Sequence, residues 1–338
     1  MGLGFGLLSA QLRPGEKGWT RAYEETVGLA VKAEELGMHS IWTTEHHFVD
    51  DGYMPSLLVV SAAIAQATSI IEIGTGVLLA PLHHPIRLAE DAATVNLLSN
   101  GRLTLGLGIG WSTVEFDAFG ASMRTRGGAM DEVLAILPKA WSGEPFRHQG
   151  AVYDLPEVGV RPTPASKIPI LIGGSAEPAV RRAARLADGV FANAPAPQFL
   201  QQVEWIHDEL DRIGRDPATF RIVYYSVMIP GDSAAEAWAR GTEHLWQMMW
   251  KYSDMEASAL RSGPPPTAEP LTDDRRDELF GRGTSIGPSP EIVESLHQIR
   301  ADAGSDVEFV ARSYFPTMSY GEQVELMERL ATEVAPHL

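Results

Sequence analysis

Two kinds of apolar pattern alternate along this chain. Short apolar runs, several rich in β-branched residues, stand between longer segments whose apolar positions recur every three or four residues. The short runs predict strands at 3–8, 40–44, 70–80, 102–109, 168–172, 189–192, 220–229 and 307–311. The helical spacing predicts helices over 23–36, 55–67, 85–98, 128–141, 177–186, 197–213, 234–252, 290–303 and 321–333. Punctuation supports these limits: the first helix closes on Gly37, the second has Pro55 in its first turn, and the third stops at Asn100-Gly101.

Two stretches lack either period. Residues 143–167 hold four prolines, and residues 258–287 are rich in Pro, Gly, Asp and Arg. A structureless loop as long as the second is uncommon inside a compact domain; it reads either as a mobile lid or as a disordered surface insertion.

The strands are short and mostly apolar, as expected of a parallel sheet covered on both faces. Eight strand–helix units in 338 residues fit an α/β fold, a closed (β/α)8 TIM barrel with insertions. An open, doubly wound sheet is the alternative. No compositional break or tandem repeat divides the chain, so one barrel domain is expected across 1–338.

Charge and composition remove some functions. The net charge of −17 argues against nucleic acid and anionic membrane surfaces as partners. With no cysteine, disulfides, thiolate metal sites and cysteine nucleophiles are excluded. The N-terminal run turns polar by Gln11 without a basic lead, so it reads as a first strand and not a signal peptide. No run approaches the roughly 18 apolar residues of a spanning helix. A cytoplasmic location is the expectation.

The chemistry-bearing residues fall at strand C-terminal ends, the active face of such a barrel. Strand two ends in Glu45-His46-His47. Strand three is followed by Pro81-Leu82-His83-His84, strand four ends in Gly106-Leu-Gly108-Ile109-Gly-Trp111, strand five in Gly173-Gly174-Ser175, and strand six in Asn193. Gly173-Gly174-Ser175 joins a strand to a helix, with Arg181 and Arg182 within two turns. Either it binds a phosphate or it is a turn that merely needs glycine. The glycines of 106–110 miss the dinucleotide fingerprint, because the third is misplaced and no acid follows about 20 residues on. They serve better to admit a flat ligand or a neighbouring backbone. The histidine pairs suggest metal, but each can aim only one ring inward while extended, and the other strand ends add no further carboxylate. Trp246, Met248, Met249, Trp250 and Tyr252 form an apolar helix end, either core or the wall of a substrate pocket.

Taken together, several motifs resemble the bacterial luciferase-like flavin-dependent monooxygenases and oxidoreductases, in particular their luciferase α-subunit-like FMN branch. They are Glu45-His46-His47-Phe48, Ile73-Gly-Thr-Gly76-Val77-Leu-Leu-Ala-Pro81, His84-Pro-Ile-Arg-Leu-Ala-Glu-Asp91, Leu98-Ser-Asn-Gly-Arg-Leu103, Arg161-Pro162, Ile170-Leu-Ile-Gly-Gly-Ser175 and Ile286-Gly-Pro-Ser-Pro-Glu291. The resemblance spans about 2–189, with a weaker match beyond.

It implies a barrel that binds reduced FMN across its strand ends. His46 would act in acid/base chemistry on a flavin C4a-peroxide formed with O2, supported by Glu45. A non-prolyl cis peptide at Gly76–Val77 would bulge against the ring, with Gly108, Ile109 and Trp111 beside it. Gly173, Gly174 and Ser175 would hold the phosphate, and 258–287 would be the lid. Two positions depart from the branch. Gly108 and Ile109 stand where a reactive cysteine and an arginine are expected, which puts light emission in doubt, and Gly174 replaces an acid near the phosphate. A sister branch uses the deazaflavin F420. The expected function is a two-component monooxygenase fed by a separate flavin reductase and acting on a small organic substrate, with a homodimer the family's tendency. F420-dependent hydride transfer is the alternative, a non-catalytic flavin-binding protein a more remote one, and a metallohydrolase the last.

Overall fold

Eight parallel strands close into a ring in the computed structural model, which describes residues 2–261, 265–266, 268–272, 275 and 284–338. In chain order the strands are β1 (Leu3–Leu8), β2 (Ser40–Thr43), and β3 (Glu72–Thr75), which resumes after two residues as β4 (Leu78–Leu79). Then come β5 (Leu103–Gly108), a hairpin outside the ring formed by β6 (Phe146–Gln149) and β7 (Asp154–Val158), β8 (Ile170–Gly173), β9 (Gly189–Ala192), β10 (Arg221–Gly231), β11 (Thr284–Pro288) and β12 (Val307–Arg312). β12 pairs in parallel with both β10 and β1, in the register Leu3↔Phe309 to Gly6↔Arg312. β9 pairs in parallel with β10 as well, which closes the sheet and rules out the open doubly wound alternative. β11 stands outside the ring, paired with the overhanging end of β10.

The helices lie around the ring: α1 (Thr20–Glu35), α2 (Leu57–Ala67), α3 (Pro85–Leu98), α4 (Thr113–Phe119), α5 (Arg126–Trp141), α6 (Glu177–Leu186), α7 (Ala196–Ile213), α8 (Ala234–Ser258), α9 (Ser289–Ala303) and α10 (Tyr320–Arg329). Among the described residues, none of the helices is long and apolar enough to cross a membrane.

Alternation along each strand sorts the side chains. On β12, Phe309 and Ala311 join the core shared with the helices, while Val310 faces inward. There it meets Leu7, Trp42, Leu171, Phe191 and Val223. Trp42 of β2 stacks on Phe191 of β9 at 4.5 Å, and Phe191 on Tyr225 of β10 at 4.4 Å, forming a column of rings inside the barrel. Glycine makes room for this packing. A Cβ at Gly74 would fall 2.3 Å from the Trp42 ring, and one at Gly106 only 1.9 Å from the Thr75 carbonyl oxygen. Below the column, Arg221 joins Glu308 of β12 (2.7 Å) and Glu72 of β3 (3.0 Å).

The structure departs from the sequence expectations where segments are short or polar. The strand expected over 70–80 breaks in two, because the chain bulges at Gly76–Val77. The 143–167 stretch holds the β6–β7 hairpin. α4 was not expected, since two helical turns carry too little periodicity to read. α8 runs on to Ser258. β11 falls within the expected loop 258–287: a Gly- and Ser-containing segment becomes a strand by pairing its main chain to β10. Most of the rest of that proposed lid lies outside the described residues.

Candidate active site

The rim is set by β2. Its register with β3 places Thr43 opposite Thr75, so the residues that follow each strand emerge side by side at the same end of the barrel. Here Glu45 and His46 are both buried, at 2% and 6% exposure.

Burial raises the cost of charging Glu45, but hydrogen bonds with His47 (2.8 Å) and His83 (3.2 Å) outweigh it and hold its carboxyl down at about 2. Its second oxygen accepts the Leu79 N–H at 2.8 Å. Glu45 is therefore an ionised clamp between the β2 loop and β4. His83 thus has a structural role here, as one of the partners that hold Glu45.

His46 is oriented by a residue the sequence reading missed. Its Nδ1 lies 2.9 Å from Oε1 of Glu115, which also accepts the backbone N–H of His47 at 2.8 Å. Facing a carboxylate, Nδ1 carries the hydrogen, and Nε2 has no hydrogen-bond partner among the described residues. Glu115 is 2% exposed, and its other oxygen, Oε2, is buried without a partner. Ser112 and Glu115 have the spacing of a capping box, and Gly120 closes the helix; these two signals could have found it. The box is not made; Glu115 reaches back to the histidine instead. The start of α4 is held from α8, where Glu256 accepts both the N–H (2.9 Å) and the hydroxyl (2.7 Å) of Thr113.

The ridge beside this corner comes from the break between β3 and β4. The Gly76–Val77 peptide is cis, as the family resemblance implied. The Val77 side chain fills the space that Cβ atoms at Gly108 (2.5 Å) and Gly173 (2.6 Å) would occupy. Of the β5 glycines, Gly106 admits the neighbouring backbone of Thr75, one of the two roles the sequence left open, while Gly108 makes room for a side chain, which was not among them. Ile109 packs half-buried against the main core, and Trp111 stands 45% exposed with its ring 5.5 Å from that of His46.

Gly173, Gly174 and Ser175 lead into α6, with Gly174 and Ser175 exposed and Gly174 at φ +147°. The first N–H groups of a helix have no partners within it and favour an anion. The nearby arginines point elsewhere: Arg181 pairs with Glu177 (2.7 Å) and Glu209 (3.4 Å), and Arg182 with Asp131.

The wall opposite is aromatic. Tyr53 and Tyr252 meet hydroxyl to hydroxyl at 3.0 Å, and both rings stand edge-on to His46, at 5.0 and 5.9 Å. Burial pushes the Tyr53 phenol well up, so it stays protonated. Behind the tyrosines lies a cavity of about 480 Å³, lined by Met248, Trp250, Met255, Leu12 and Pro316 among others. The apolar helix end is therefore divided: Trp246 belongs to the core, while Met248, Trp250 and Tyr252 face the cavity. Lys251 anchors the wall to the β2 loop through Asp50 and also pairs with Asp254 on its own helix.

The model of the luciferase-like monooxygenase family matches residues 4–306. The chain belongs to that family. Within it, the chain is 34% identical over 149 residues to the oxygenase component of a flavin-dependent trigonelline monooxygenase of Acinetobacter baylyi, covering 42% of this chain and 40% of that one. It is 29% identical over 172 residues to an F420-dependent glucose-6-phosphate dehydrogenase of Amycolatopsis mediterranei, covering 49% and 52%. These matches span about half the length of the curated relatives. Over the whole fold, it superposes on a monooxygenase of Streptomyces bottropensis with a TM-score of 0.83 at 24% identity, covering 100% and 99% of the two chains. The luciferase-like relatives thus include flavin-dependent monooxygenase components and F420-dependent oxidoreductases.

Proposed function

We propose that this chain is the oxygenase of a two-component monooxygenase that takes reduced FMN from a separate flavin reductase and uses O2 on a small organic substrate. The observation that carries the reading is His46, fixed by Glu115 through Nδ1 with Nε2 left for chemistry, at the same rim as the Gly76–Val77 ridge. The residues present fit the cofactor. Gly173, Gly174 and Ser175 at the start of α6 would hold its phosphate, and Gly76, Val77, Gly108, Ile109 and Trp111 would border its ring. Reduced FMN, when bound, supplies the electrons for O2 activation; the protein's part is to bind, orient and exclude water.

Nε2 of His46 is the atom that would accept or return a proton, with Glu115 keeping the ring in one tautomer. Glu45 does not reach the reacting space; through Leu79 it supports the strand that carries the ridge. Tyr53, Tyr252 and Trp111 keep the imidazole in largely apolar surroundings.

F420-dependent hydride transfer is the second reading, supported by the F420-dependent relative. The paired state of Arg181 and Arg182 weighs against it, because an acidic deazaflavin tail needs free cations. Spectral titration of the purified protein with FMN, reduced FMN and F420 discriminates. Reduced FMN should bind most tightly, and the bound form should be reoxidised by O2. Tight binding of F420 with indifference to reduced FMN would replace this reading with the second.

A further inference from the structure

Arg312 is the last residue of β12, and alternation places it on the inward face one layer above Val310, at the mouth of the barrel. It lines a small recess with Ser9, Gln11, Thr44, Tyr53 and Tyr252. Gln11, Tyr53, Met248, Tyr252 and Pro316 also line the 480 Å³ cavity, so the recess adjoins that cavity behind these side chains. The guanidinium lies 5.1 Å from the centre of the Tyr252 ring, and Tyr225 and Tyr53 are its other close neighbours. No Asp or Glu among the described residues forms an ion pair with it. The other arginine facing the barrel interior is different: Arg221, at the opposite end, has two carboxylates.

A cation withdrawn from water needs compensation, and neutral phenols with one π face supply only part of it. Apolar side chains make up much of the rest of the cavity wall. The charged residues of the cavity's own lining are paired or at the surface: Arg13 with Glu16 and Glu25, Lys251 with Asp50, Asp51 and Asp254, and Lys17 exposed. A cavity with much apolar wall, next to a guanidinium that no acid offsets among the described residues, matches a molecule with an apolar body and an anionic end. Arginine meets a carboxylate through two parallel N–H donors, which fixes orientation as well as charge.

We propose that Arg312 is the anchor for the carboxylate of an organic acid, held in this cavity with its apolar part against Met248, Trp250 and Tyr252. The claim deepens the monooxygenase reading by naming a substrate class and rests on it for the chemistry, but binding can be measured without flavin. Tyr252 contacts both Arg312 and the ring of His46, so an acid seated on the guanidinium would lie next to the catalytic corner.

The test is equilibrium binding to the flavin-free full chain, by calorimetry, of benzoate, indole-3-acetate and decanoate against their uncharged amides. At least one acid should bind roughly tenfold to a hundredfold more tightly than its amide, as a charge-assisted pair gives. Arg312→Met should abolish the difference, and Arg312→Lys should restore part of it, with reduced FMN affinity unchanged in both. Circular dichroism and a thermal melt show whether each variant is folded. The wild-type comparison stands even if neither is. Equal binding of acids and amides, or no binding of any acid at millimolar concentration, overturns the proposal. So does an Arg312→Met variant that keeps the discrimination, or one that loses reduced FMN instead, which would assign the guanidinium to the flavin. Acid binding by a protein that ignores every flavin would sink the monooxygenase reading and leave this one standing.

Discussion

At the residue scale, the rim holds three kinds of charged or polar side chain with separate tasks. In the proposed function His46 faces the reacting space; in the structure Glu115 holds its ring, and Glu45 braces the strand beside it. Replacing His46 with Ala should lower turnover about 10²- to 10⁴-fold while leaving reduced FMN affinity within a few-fold. Glu115→Ala should lower turnover about 10- to 100-fold with flavin affinity equally spared, as for a partner behind an acting residue. Rapid-mixing kinetics beside a binding titration checks both. Glu45 belongs to stability. Its folded value of about 2 lies below the ordinary 4.5, so the folded state binds fewer protons than the unfolded chain between those values. Its contribution is complete above about pH 4.5 and disappears as pH falls toward 2. Glu45→Gln should lower the melting temperature at pH 7 and flatten its fall between pH 4.5 and 3. A mutant whose melting temperature falls over that interval as steeply as the wild type's would remove Glu45 from this role. His46 was legible in the sequence because it closes an apolar strand with polar neighbours. Glu115 was not. It lies 69 residues away on a helix of two turns, and the histidine is met only through the fold.

At the scale of elements, the strands were readable because apolar runs bounded by Gly and Asn leave few alternatives. What escaped were pieces whose conformation is set by a partner. α4 is held by Glu256, and β11 exists because β10 overhangs the ring. The interior packing makes its own prediction. Gly74→Ala would push a methyl group into the Trp42 ring and should cost about 1–3 kcal/mol in urea denaturation, in the usual range for overpacking. In a Trp42→Leu background the same substitution should cost less, because the clash is gone. Gly106→Ala meets a strand carbonyl instead, which no side-chain change can relieve, so no such second substitution should rescue it.

At the scale of the molecule, the count of strand–helix units suggested a closed barrel, and the pairing of β9 with β10, beside that of β12 with β1, shows it. The ends of that barrel are built differently. At the bottom, one guanidinium ties β10 to β3 and β12 through carboxylates that balance it. Arg221→Met would leave two acids facing each other there. Unfolding in urea should show a loss of roughly 2–3 kcal/mol. That is less than the roughly 3–5 kcal/mol of a fully buried pair, because the Arg221 side chain keeps 24% of its surface in water. At the mouth, Arg312 has no such acids among the described residues, a contrast no sequence pattern announces, since both arginines simply flank apolar strands.

The stack of Trp42, Phe191 and Tyr225 has one more consequence. With rings filling its bore, the barrel has a single doorway: whatever reaches the histidine corner must arrive from, and depart to, the open face. Two molecules that meet there cannot approach from opposite sides, so each stands in the other's way. Steady-state kinetics should then show that an excess of either one obstructs the entry of the other.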